Sequence, residues 1–206
     1  MAYQSNKLLL QLAGCCFALV FACTFSSPAA ADTISHSGTF FDDGAQPDAG
    51  IPDTFTITNT SPDSYAITDL FISLTAPATG PFTFDESIPA YLFTVIGDDQ
   101  GLATQNIGGD TITLTFNDFN LGDSFTFTID VDDNNARVDS GRMAGSTVTA
   151  TFDVAGTPTD VIASMVAGGA YDTSWSNSAT VVPEPGTLAL LGFGLTGLAW
   201  GGRRRR

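Results

Sequence analysis

Lysine, histidine, glutamate and, over most of the chain, cysteine are what this sequence has little of. Lys7 is the only lysine, His36 the only histidine, and Glu86 and Glu184 the only glutamates. Cys15, Cys16 and Cys23 all lie in the N-terminal apolar stretch. From Asp32 onward there is no thiol, which excludes a disulfide framework and a cysteine-ligated zinc centre there. A core alone must hold that region together, and about 150 residues can bury roughly two-thirds of their unfolded surface. Basic residues are just as scarce. Between Asp32 and Val182, 21 carboxylates face only Arg137 and Arg142, about −19, against −15 for the whole chain. Such a surface repels nucleic acid and anionic headgroups, so no nucleic-acid partner is expected; it attracts divalent cations or basic partners.

What is present between the two ends is the period of β-structure. Phe125, Phe127, Ile129 and Val131 alternate with Thr126, Thr128 and Asp130. The same alternation runs through Ile112–Phe116, Val148–Val154 and Phe55–Ile57, with threonines between the apolar residues. Ile67–Leu74 and Tyr91–Ile96 are more continuously apolar and read as central strands. Gly108-Gly109-Asp110, Gly122-Asp123 and Gly156-Thr157-Pro158 mark turns. Lacking the residues that usually cover helices, the region reads as an all-β fold, an antiparallel β-sandwich of Ig-like or jelly-roll type over residues 32–166. Residues 167–182 are Ser/Asn-rich and read as a linker.

The N-terminus has the form of a secretory signal over residues 1–31. Lys7 gives a positive start, Leu8–Phe25 is apolar, and Ala29, Ala30 and Ala31 supply a small-x-small site before Asp32. Signal peptidase is the partner this implies. Leu12-Ala13-Gly14-Cys15 has lipobox form, but cutting there leaves Cys16–Phe25 as an apolar tail on the product. The C-terminus is equally ordered. Pro183 and Pro185 cannot continue a helix and make Val181 to Pro185 extended and accessible. Gly186–Gly202 carries no charge and, as one transmembrane helix, spans about 25 Å, slightly under a hydrocarbon core of about 30 Å. Arg203, Arg204, Arg205 and Arg206 then set a cytoplasmic end, with the domain outside. Gly192-Phe193-Gly194-Leu195-Thr196-Gly197 matches a dinucleotide-binding pattern, but the strand and helix that chemistry requires are missing.

Pro-Glu-Pro, a short Leu/Gly-rich span and an arginine cluster, over residues 183–206, resemble the PEP-CTERM sorting tail. The resemblance implies processing by exosortase, a membrane-embedded transpeptidase-like enzyme of Gram-negative bacteria that make exopolysaccharide and biofilm matrix. It makes Pro183, Glu184 and Pro185 the recognition element and Arg203 to Arg206 the membrane stop. The protein would pass through the inner membrane to the cell surface or extracellular matrix. Phe55–Leu74 and Leu121–Phe127 also resemble, loosely, Ig-like modules of bacterial surface proteins.

Candidate chemistry within the domain is sparse. His36 lies four residues past the expected cleavage site and no G-x-S-x-G elbow is present, so it reads as a solvated or strand-edge histidine. Glu86 beside Asp85 is the candidate for carboxylate-mediated glycoside hydrolysis. Asp130 and Asp132 share a strand face, about 7 Å apart, and with Asp133 and Asn135 in the following turn they offer oxygen ligands to Ca²⁺. Asp42, Asp43 and Asp48, and Asp98 with Asp99, are further acidic groups. Asn59-Thr60-Ser61 has the form of a glycosylation sequon. The expectation is a non-enzymatic structural or adhesive matrix component. The alternative is a lectin-like polysaccharide binder using Tyr65, Tyr91, Tyr171 and Trp175, although core packing also explains those aromatics.

Overall fold

The computed structural model describes residues 31–42, 53–62, 65–74, 82–85, 92–132, 143–168 and 172–181. Contacts group Asp32–Val181 as one compact unit. Among the described residues the elements are β1 (Asp32–Phe41), β2 (Asp53–Asn59), β3 (Ile67–Ser73), β4 (Thr83–Asp85), β5 (Thr94–Ile96) and β6 (Leu102–Gly108). They continue with β7 (Thr111–Phe119), β8 (Ser124–Asp132), β9 (Thr147–Val154), β10 (Thr157–Ser164), β11 (Val166–Ala167) and β12 (Asp172–Val181). No described helix is long and apolar enough to cross a membrane. The expected signal segment and transmembrane span lie outside the described residues.

Two antiparallel sheets result. The first has the order β11-β12-β1-β2-β8-β4, with β5 also paired to β8; the second is β10-β9-β3-β7-β6. The neighbour order β1-β2-β8 in one sheet and β10-β9-β3 in the other is shared with immunoglobulin-type sandwiches. Alternation decides which side chains enter the space between the sheets. β2 and β9 bury every second residue: Phe55 and Ile57 from the first, Val148, Ala150 and Phe152 from the second. Without disulfides, aromatic packing supplies much of the cohesion. The Phe55 and Phe127 rings stack with centroids 5.0 Å apart, and Phe116 meets Phe125 edge-on at 4.9 Å. Such pairs contribute about 0.5–1.5 kcal/mol beyond their buried area.

Three sequence expectations change. Residues 167–182 are not a linker throughout: Asp172–Val181 is β12, paired over its full length with β1. Its Ser/Asn content hides the strand because Trp175 is the only apolar residue it buries fully, Ala179 and Val181 being partly buried. Tyr91–Ile96 is not a central strand. Among its described residues, 92–96, only Thr94–Ile96 is a strand, a short piece paired to β8, and Leu92 and Ile96 are exposed. Phe93 and Val95 alone pack against the core. Finally, β1 lies between β12 and β2, so His36 is fully buried rather than solvated.

Candidate functional site

Hydrophobic alternation on β1, β2, β8 and β12 sends one set of residues inward and fixes what the opposite face displays. That face is paved with hydroxyls. Strand register aligns Ser174, Thr39, Thr56 and Thr126 in one row across four strands. The next row is Ser176, Ser37, Thr58 and Ser124. Neighbouring hydroxyls bond to one another: Thr58 with Ser124 at 2.8 Å and Thr56 with Thr126 at 3.2 Å. Neither row contains a charge. Asp172, Phe41, Thr54 and Thr128 form the row beyond the first, at the end of the face where Asp130 also lies.

A groove of about 500 Å³ crosses this face over β12, β1 and β2, its walls including Ser37, Thr39, Thr56, Thr58, Ser174 and Ser176, with Val166 at its side. Gly38 and Trp175 also line it. A Cβ on Gly38 would fall 2.3 Å from Trp175 Cζ2 and 2.4 Å from the Thr56 carbonyl oxygen, so only glycine fits under the indole. Trp175 is 3 % exposed and its Nε1 has no hydrogen-bond partner. An unpaired buried donor of this kind costs about 1–3 kcal/mol. Phe41 stands next to Thr39 on the outward side of β1, 50 % exposed. The arrangement offers hydroxyl donors and acceptors in regular rows, with an exposed aromatic ring on the same face.

His36 does different work. Its Nε2 donates to the Val161 carbonyl at 2.9 Å, which makes the neutral ring the Nε2–H tautomer and leaves Nδ1 unpartnered. Desolvation by burial lowers its pKa below the ordinary 6.5, and the bond to Val161 offsets part of that. Asn177, the β12 partner of His36, bonds the next carbonyl, Ile162, through Nδ2. Both side chains therefore tie the first sheet to the edge strand of the second. That role commits the ring to structure.

The acidic candidates separate. Asp130 and Asp132 both fall on β8, but Asp133 and Asn135 lie outside the described residues. Among the described residues no three His, Cys, Asp or Glu side chains converge as metal ligands. Asp42 is buried at the end of β1, while Asp43 and Asp48 lie outside the described residues. Asp98 and Asp99 build a turn, accepting the Gln100 and Gly101 amides at 3.1 and 3.0 Å. Asp53, which the sequence did not single out, is buried and accepts the Val131 amide at 3.0 Å. Glu86, Tyr91 and Tyr171 lie outside the described residues. Tyr65 is half-buried against the core and donates to Asp32 at 2.6 Å, and Trp175 is enclosed. Asn59 of the sequon is fully buried, its amide nitrogen bonded to the Tyr65 carbonyl at 2.8 Å and the Phe119 carbonyl at 3.3 Å.

Sequence reading saw the threonines of β2 and β8 as a polar face but missed the serines of β1 and β12. The signal was there as a period of two, Ser174-x-Ser176-x-Ser178-x-Thr180, without the apolar partners that normally announce a strand.

The fold so defined is a two-sheet β-protein whose outer face on one sheet carries two uncharged rows of hydroxyls. Its last strand leads directly into the segment that identifies the chain's destination. The family model for the PEP-CTERM protein-sorting motif matches residues 181–206. No curated protein matches the chain. The chain thus carries a PEP-CTERM motif, which marks it for exosortase-dependent sorting to the cell surface. Pro183, Glu184, Pro185 and Arg203 to Arg206 lie within the matched segment and outside the described residues, as does Ala29. Ala31 is exposed immediately before β1, which starts at Asp32.

Proposed function

We propose that this chain is an exported, non-catalytic β-sandwich, displayed at the surface of a Gram-negative cell or released into its extracellular matrix, with a structural or adhesive role in biofilm. The observation that carries the reading is the sorting motif, which begins at Val181 where β12 ends. In this reading residues 1–31 are removed by signal peptidase after Ala31. Gly186–Gly202 holds the chain in the inner membrane with Arg203 to Arg206 as the stop. Exosortase acts at Pro183-Glu184-Pro185. Cleavage there leaves β12 whole, so the released domain keeps every strand. Its acidic surface keeps it soluble and gives divalent cations a means of bridging copies.

Replacing Pro183, Glu184 and Pro185 together by alanine, followed by fractionation, tests the sorting step. The variant should stay with the inner membrane while the natural protein reaches the surface or medium; identical distributions would remove exosortase from the account. A strain lacking the chain should form weaker biofilm, and undiminished biofilm would remove the structural role.

A further inference from the structure

We propose that the hydroxyl-lined outer face of the β12-β1-β2-β8 sheet binds a neutral polysaccharide, seated in the groove beside Phe41. Hydroxyl side chains both donate and accept, which is what a partner made of sugar hydroxyls requires. Strand propensity accounts for the threonines here but not for the serines of β1 and β12, which are not among the strand-favouring residues. Nor does it account for the missing charge. The outer face of the opposite sheet carries Asp69, Asp153 and Asp160, while the two hydroxyl rows carry no carboxylate, in a domain of about −19. The charge-free zone coincides with the groove.

A further observation points to an occupant of this chemistry. Phe41 exposes half its surface on the same side of β1 as Ser37 and Thr39, two residues beyond the groove-lining Thr39, where the C–H face of a pyranose can stack on it. Charge selects among the partners. An anionic polymer, an anionic membrane and a second copy of this domain all bring negative charge toward a surface already strongly negative, whereas a neutral glycan does not. This inference rests on the display reading only for where the ligand is met; the binding itself is independent of sorting.

The test uses the full chain in a neutral, non-glycosidic detergent, examined by affinity electrophoresis and calorimetry with dextran, a neutral mannan, a neutral galactan and alginate. At least one neutral polymer should bind and alginate should not. Thr56→Asp and Ser37→Asp, each placing a charge in the groove, should weaken binding about tenfold or more, and Phe41→Ala by several-fold. Thr113→Asp, on the outer face of the opposite sheet, should leave it unchanged. Thermal melts of each variant establish that the fold is retained. The proposal is overturned if no neutral polymer binds, if alginate binds equally well, or if Thr113→Asp weakens binding as much as Thr56→Asp. Concentration-dependent self-association abolished by Thr56→Asp, without glycan binding, would assign the face to a second copy instead. A failure of surface sorting would show in fractionation and leave these measurements untouched.

Discussion

At His36, one ring nitrogen holds the Val161 carbonyl and the other has no partner, with the side chain fully buried. Burial lowers the folded pKa below 6.5, so the unfolded chain takes up a proton more readily than the folded one. The stability this neutral histidine contributes is therefore complete above about pH 6.5 and is lost as pH falls from there through the lowered folded value. Melting temperature should be level from pH 8 to 6.5 and then decline. In His36→Gln, which preserves a donor toward Val161 without a titrating ring, the decline between pH 6.5 and 5 should flatten; an unchanged slope would place the titration elsewhere. Gly38 is constrained by space rather than charge. The Cβ of Gly38→Ala would meet a backbone oxygen and the Trp175 ring, so unfolding free energy should fall by about 1–3 kcal/mol in a denaturant titration.

Between residues and fold stand the hairpins and the closing strand. β9 and β10 are joined by Ala155-Gly156, both with positive φ, 52° and 82°. Right-handed strand twist favours that turn, yet alanine pays a steric cost in the left-handed region that asparagine largely avoids. Ala155→Asn should raise stability by about 0.5–1 kcal/mol, measured by the denaturation midpoint. The element most needed is β12, which covers β1 over ten paired positions and delivers Trp175 to the core. A chain ending at Val182 should melt cooperatively. One ending at Gly168 should not, since β1 would lose its neighbour and the core its tryptophan.

Elements whose two faces differ in hydrophobicity were legible from sequence: β2, β7, β8 and β9 coincide with their Thr/apolar alternation. β3, read as central from its apolar run, lies in the middle of its sheet. β1 and β12 were obscured because glycine, histidine, asparagine and serine fill positions where a hydrophobic alternation would be sought, and only pairing shows that they belong together. β6, with a largely exposed edge sequence of Thr104, Gln105 and Asn106, gave no periodic signal at all. The groove was illegible for a related reason. Its residues come from separate strands, and only register brings Ser37, Thr58 and Ser176 into one line.

For the molecule as a whole, the pairing of Asp32 with Val181 is the decisive geometry. The domain's first and last strand residues are neighbours, so the chain enters and leaves the fold at one end. The matched sorting motif starts at that exit, and processing on either side would trim the chain without removing a strand. A cysteine-free domain of this kind depends on its core and not on redox conditions.

Mass spectrometry of both termini, on protein recovered from medium and membrane fractions, tests the central claim most directly. The account predicts a form beginning near Asp32 and ending between Pro183 and Gly186, found at the surface or in the medium. A chain found only in the membrane and still carrying Leu188 to Arg206 would contradict it, and would make this a permanently anchored protein.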